Sequence, residues 1–123
     1  IKKNDAFQQI VISSIILWVI YFIETVFLVK ACGLNLEIME IGILLVLGSI
    51  AFGIPALPGS AGTYDAGVKY SLIFAFNISS ANALSYAIIS HSVAYFPMLI
   101  IGFIYFVTGN VKFDDIKKIK INK

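Results

Sequence analysis

Asp65 and Lys69 are the only formal charges in a run of 71 residues, from Ile41 to Val111. Four residues apart, they share one face of any helix that holds them. Two charges in apolar sequence are costly unless they pair or face water. The spacing supports two readings: an internal ion pair, or an Asp65 that organises the preceding loop while Lys69 faces an anion. Just ahead lies Gly59-Ser60-Ala61-Gly62-Thr63, with Thr63 expected as the N-cap of the next helix. Successive backbone N–H groups before a helix make an anion-receptive concavity, and the helix dipole adds to it. A lipid phosphate suits that chemistry, with Gly59, Ser60, Gly62, Thr63, Asp65 and Lys69 as candidate contacts. His91, flanked by Ser90 and Ser92 with Tyr95 one turn on, is the last candidate. It reads either as a hydrogen-bonded packing residue or as a proton carrier or ligand contact.

Other chemistries find little support. One histidine and one cysteine, Cys32, in 123 residues leave no His-based or thiolate metal site and no disulfide framework. No nucleophile has a base at credible spacing, so neither catalysis nor a cofactor is expected in this segment. All nine basic residues are lysine and the net charge is +2, which does not favour nucleic acid as a partner.

The elements that must position these residues follow from composition. Hydrophobic residues make up 59 % and charged residues 13 %, too few charges to solvate a globule of this size. The chain therefore reads as an all-α integral membrane segment. Phe7 to Val29 is apolar for 23 residues, about 35 Å as a helix and enough to cross a bilayer. Its one charge, Glu24, is expected either near the interface or as a partner for another helix. Gly33 is expected to stop this helix, and Glu37 and Glu40 suit the start of a second helix running to about Ile54. Ser49 and Gly53 form a small-xxx-small pair that permits close packing. Pro55-Ala-Leu-Pro-Gly-Ser-Ala-Gly62 then breaks the helix. A third short helix follows, from Thr63 to about Phe76. The two short helices read as a re-entrant hairpin or as two short spans. Ala81 to Val107 is the last long helix, 27 residues without a formal charge, with a kink expected at Pro97.

The termini carry seven of the nine lysines. The positive-inside rule places both in the cytoplasm, which requires an even number of crossings. Residues 112–123 read as a basic cytoplasmic tail, either suited to an anionic membrane surface or a partly disordered, solvated terminus. The chain starts at Ile1 rather than Met. Residues 1–123 are read as one membrane domain, the C-terminal piece of a larger polytopic protein of the cell membrane. Its expected partners are membrane lipids with anionic or phosphate headgroups and the missing N-terminal part of the same domain. Self-association is left open.

The order of Trp18 in a span, a short helix, then Pro55-x-x-Pro58-Gly59-x-x-Gly62-x-x-Asp65 resembles the lysylphosphatidylglycerol synthase/flippase transmembrane family. An Ala-rich helix with His91, Tyr95 and Gly102 continues the likeness, which covers roughly Ile15 to Gly109, the C-terminal part of that membrane domain. The family motif reads P-x-x-P-G-G-x-G-x-x-E, followed by a helix with Arg or His in the later position. Ser60 here replaces the second glycine, and Asp65 replaces the glutamate. The resemblance implies a membrane protein that handles phospholipids or polyprenyl-phosphate lipids. In better-understood members this domain flips aminoacylated lipid between leaflets, and a separate soluble domain makes it. Two functions are expected on this basis: part of a lipid flippase or transporter, or the membrane anchor and lipid-binding part of a lipid-linked aminoacyl- or glycosyl-transfer system.

Overall fold

The computed structural model describes residues 3–54 and 58–109. They form four α-helices: α1 (Lys3–Ala31), α2 (Ile38–Gly53), α3 (Thr63–Phe76) and α4 (Ser80–Thr108). A 3-10 turn over Pro58–Ser60 lies between α2 and α3. The all-α expectation holds, and no strand occurs among the described residues. The expectations for the basic tail and for Pro55 concern residues outside the described set.

Ala6–Ala31 of α1 and the whole of α4 are long and apolar enough to cross a membrane, with mean hydropathies of 2.3 and 1.9. At 16 and 14 residues, α2 and α3 reach only about 24 and 21 Å. The chain divides into two compact units, Ile1–His91 and Ser92–Lys123. The first holds α1, α2, the turn, α3 and the opening of α4. The described part of the second is the rest of α4 as far as Thr108, with Pro97 inside the helix.

Local signals set the helix ends in the first unit. α1 closes on Gly33, whose φ is +67°. The Gly33 N–H donates to the Lys30 carbonyl and the Leu34 N–H to that of Val29, each at 3.0 Å. This paired closure seals the last carbonyls and buries Leu34 against the core. At the start of α2 the Glu37 N–H donates to Glu40 Oε2 at 2.8 Å, so one predicted carboxylate caps the helix that the other begins. α3 ends at Asn77, in the left-handed region at φ +52°. Three residues later α4 begins, with the Asn82 N–H donating to Ser79 Oγ.

Hydroxyls on these apolar helices bond back to their own backbone. Ser14 donates to the Ile10 carbonyl, Thr25 to Tyr21, Ser49 to Leu45 and Ser85 to Ala81, all within 3.0 Å. Such bonds satisfy a polar group where water is scarce.

α2 and α3 run antiparallel and close together. Phe52 meets Tyr64 edge-on beside the break, and Gly48 lies against Val68 further along. At the crossing, a Cβ on Gly67 would collide with the Cβ of Ala51. The small residues that admit this approach are therefore Gly48, Ala51 and Gly67. The expected Ser49–Gly53 pair is not the packing face: Ser49 is exposed, and a Cβ on Gly53 would meet nothing within 4 Å. Sequence spacing offered two small-residue stripes one position apart, and the position of α3 selects the other. Val68 and Leu72 of α3 pack with Ala83, Tyr86 and Ala87 of α4, and with Val29, Leu34, Ile41 and Leu44, to form the core.

Candidate functional site

The break between α2 and α3 is held by side chains from α3 and α4. Gly59 and Gly62 have φ of +74° and +86°, and Ser60 lies between them at +54°. A left-handed serine is strained relative to glycine. Its hydroxyl donates to the Phe52 carbonyl at 3.3 Å, which ties the turn to the end of α2. The Thr63 hydroxyl donates to the Ser60 carbonyl at 3.2 Å. Thr63 is thus the first helical residue and Gly62 the N-cap, one position earlier than the sequence suggested. With no side chain on Gly62, its N–H is satisfied by Asp65 Oδ2 at 3.0 Å.

Asp65 Oδ1 faces His91 Nδ1 at 2.9 Å. The other ring nitrogen of His91, Nε2, faces the Gly59 carbonyl at 2.9 Å. One imidazole therefore joins the turn to the carboxylate that caps α3. The His91 and Asp65 side chains are 16 % and 28 % exposed, so the pair is largely but not wholly shielded. Beside it, the Tyr64 hydroxyl donates to Ser90 Oγ at 3.2 Å, and Ser90 donates to the Ala87 carbonyl at 3.0 Å. The Tyr64 ring lies 5.1 Å from that of His91. Adjacent residues of α3, Tyr64 and Asp65, thus meet adjacent residues of α4, Ser90 and His91.

Gly59, Ser60, Gly62, Thr63, Asp65 and His91 lie together around the turn, but the partnership differs from the one expected. Asp65 pairs with His91 rather than with Lys69. One carboxylate oxygen is taken by the Gly62 N–H and the other by His91 of α4. Lys69 is half-buried, with its Nζ 5.6 Å from the centre of the Tyr70 ring. The anion-receptive end of α3 already holds an anion, the chain's own carboxylate. Tyr64 and Ser90 were missed by sequence reasoning. The available signal was two neighbouring polar pairs, each on an otherwise apolar helix. Glu24 is half-buried in α1 and within electrostatic range of Tyr64 and Tyr86. Among the described residues, no three His, Cys, Asp or Glu side chains converge as a metal site would require.

A family pattern described as the lysylphosphatidylglycerol synthase TM region matches residues 1–102. The chain belongs to this lysylphosphatidylglycerol synthase transmembrane family. The match spans α1, α2, the break, α3 and most of α4, so the resemblance seen in the motif extends over the whole described site. Membership makes this a membrane domain, in keeping with the two long apolar helices. No curated protein and no solved structure matches the chain. The two departures from the family motif now have structural settings. Ser60 occupies a left-handed position where the usual glycine would be unstrained, and the shorter Asp65 still reaches both Gly62 and His91.

Proposed function

We propose that this chain is the membrane-embedded part of a lipid flippase or transporter handling phospholipids or polyprenyl-phosphate lipids. One observation carries the reading: a glycine-rich turn between two short apolar helices whose backbone groups are satisfied by an ionisable pair. Non-helical backbone at membrane depth is tolerated only where protein or a water-filled cavity serves its polar groups. Ionisable residues there mark substrate pathways by default, and discontinuous helices are a recurring way to build such sites. On this reading α2 and α3 form a re-entrant hairpin, and the turn with Asp65, Lys69 and His91 lines the route of an anionic headgroup. A phosphate competes with Asp65 for the N–H groups at the start of α3, and Lys69 supplies positive charge one turn away. The protein sits in the cell membrane, with both ends of this segment in the cytoplasm. The free apolar surface of α1 from Phe7 to Tyr21 meets lipid or the rest of the membrane domain.

The test is lipid movement in proteoliposomes that contain the full-length protein. Headgroup-labelled phosphatidylglycerol in the inner leaflet should become accessible to an external quencher, and His91→Ala should abolish that exposure. Tight lipid binding without movement would favour the alternative, a lipid-binding anchor for a transfer enzyme. That alternative draws on the family's description, which names a synthase. Neither movement nor binding would reject both.

A further inference from the structure

The geometry points to a proton-binding switch at His91, in which loss of one proton releases the Gly59 carbonyl and frees the break. Hydrogen-bond roles assign the protons on the ring. A backbone carbonyl only accepts, so His91 Nε2 must carry the proton that it donates to Gly59. An ionised carboxylate only accepts as well, so with Asp65 in that form Nδ1 also carries a proton, donated to Oδ1 2.9 Å away. The closed arrangement therefore holds an imidazolium between two acceptors. The other oxygen of Asp65 accepts from the Gly62 N–H, and the residue lies in the first turn of α3, where a carboxylate suits the helix dipole.

Loss of a proton leaves one N–H to share between two acceptors. The charged one, Asp65, keeps it through Nδ1. The Nε2 proton passes to water, and its bare lone pair then opposes the lone pairs of the Gly59 oxygen. That contact turns from attraction to repulsion, while the Asp65 bond and the cap on Gly62 persist. The consequence falls on the turn alone. The turn is poised to respond, because it holds a left-handed serine.

The ionisable groups on the packed elements are few. From α3 they are Asp65, Lys69 one turn further on, and the neutral Tyr64 phenol, whose ring lies 5.1 Å from His91. From α1 the ionisable group is Glu24, which lies within electrostatic range of Tyr64 rather than on the ring itself. The part of α2 that faces the site offers the apolar Phe52, Ala51 and Gly48. The switch itself does not depend on lipid handling. Its use as a gate driven by proton uptake and release does rest on the lipid reading above.

The test uses the full-length protein in nanodiscs, without any transport assay. Because His91 is the sole histidine of these 123 residues, 15N imidazole spectra of a chain labelled segmentally over this region report it directly. A nitroxide at Ala61→Cys, in a Cys32→Ser background, reports the turn as the ratio of mobile to immobile components. In the native site, the ring should pass from both nitrogens protonated to the Nδ1–H form as pH rises. The mobile-to-immobile ratio should increase tenfold per pH unit through that transition, as one proton per opening event requires.

Asp65→Asn provides the control. Its amide can accept from Gly62 and donate to a bare Nδ1, which leaves Nε2–H on Gly59 without a second proton. The turn should then stay immobile at every pH. A ring that loses its proton while the label remains immobile would overturn the switch. So would an Asp65→Asn label that loosens with pH as the native one does. Failure of lipid movement with both pH responses intact would reject the lipid reading and leave the switch standing.

Discussion

Asp65 makes two bonds of different kinds, and substitutions separate them. Its Oδ2 caps the Gly62 N–H at 3.0 Å and its Oδ1 faces His91 Nδ1 at 2.9 Å. Asp65→Ala removes a helix cap, at about 1 kcal/mol, and a charge-assisted hydrogen bond, at about 1.5–3 kcal/mol. The side chains are 28 % and 16 % exposed, so water takes up part of the second loss and the total falls at about 2–3 kcal/mol. Asp65→Asn keeps every bond with a neutral imidazole, because its amide offers one acceptor to Gly62 and one donor to Nδ1. That variant should lie within about 1 kcal/mol of the native chain, the scale of one net hydrogen bond. Reversible unfolding in mixed micelles, monitored by helical circular dichroism, measures the difference. Equal destabilisation by Asn and Ala would refute the reasoning, since charge alone would then matter. An Ala variant as stable as the native protein would refute it from the other side.

Other expectations follow from single contacts. Gly67→Val drives a branched side chain into Ala51 at the α2–α3 crossing and should cost about 3 kcal/mol or more, read as a lowered unfolding midpoint; an unchanged midpoint would contradict the crossing. Ser60→Gly removes a side chain from φ +54° and should raise stability by about 1 kcal/mol, less the contribution of the bond to Phe52. Burial pushes the Cys32 thiol above its ordinary pKa, so the thiolate appears only at higher pH; the pH midpoint for maleimide labelling should lie above that of a free cysteine and return to it in denaturing detergent. Cysteines placed near Lys3 and Lys120 should resist a membrane-impermeant reagent applied outside intact cells, and labelling at either end would reverse the proposed orientation.

Most of the helix boundaries were legible because they depend on local chemistry. Gly33 closes α1, Glu37 and Glu40 open α2, and the proline/glycine cluster separates α2 from α3, each through backbone geometry that neighbours in sequence determine. Part of the site was legible as residues, without Tyr64 and Ser90, but its partners were not. Spacing of four made Lys69 the visible partner for Asp65, whereas His91 lies 26 residues away on another helix and only packing brings it near. The same limit applies to the small residues of α2. Nothing in the sequence distinguishes Gly48 and Ala51 from Ser49 and Gly53 until α3 lies against one face. Gly62 displaced Thr63 as the cap because Asp65 reaches back to the backbone itself and needs no hydroxyl between.

The central claim is that His91 fastens the break by donating from Nε2 to the Gly59 carbonyl. Rotational-echo double-resonance NMR tests it directly, on a full-length protein whose segment holds a 15N-labelled imidazole and glycine 13C carbonyls. With one histidine in these 123 residues, the dephased signal belongs to His91. A 2.9 Å hydrogen bond places the carbonyl carbon about 4 Å from Nε2, given a carbonyl bond of about 1.2 Å. Strong dephasing at Nε2 that corresponds to about 4 Å, and that disappears when Gly59 alone lacks 13C, is the predicted result. Nε2 signal that persists without dephasing at low pH would contradict the account.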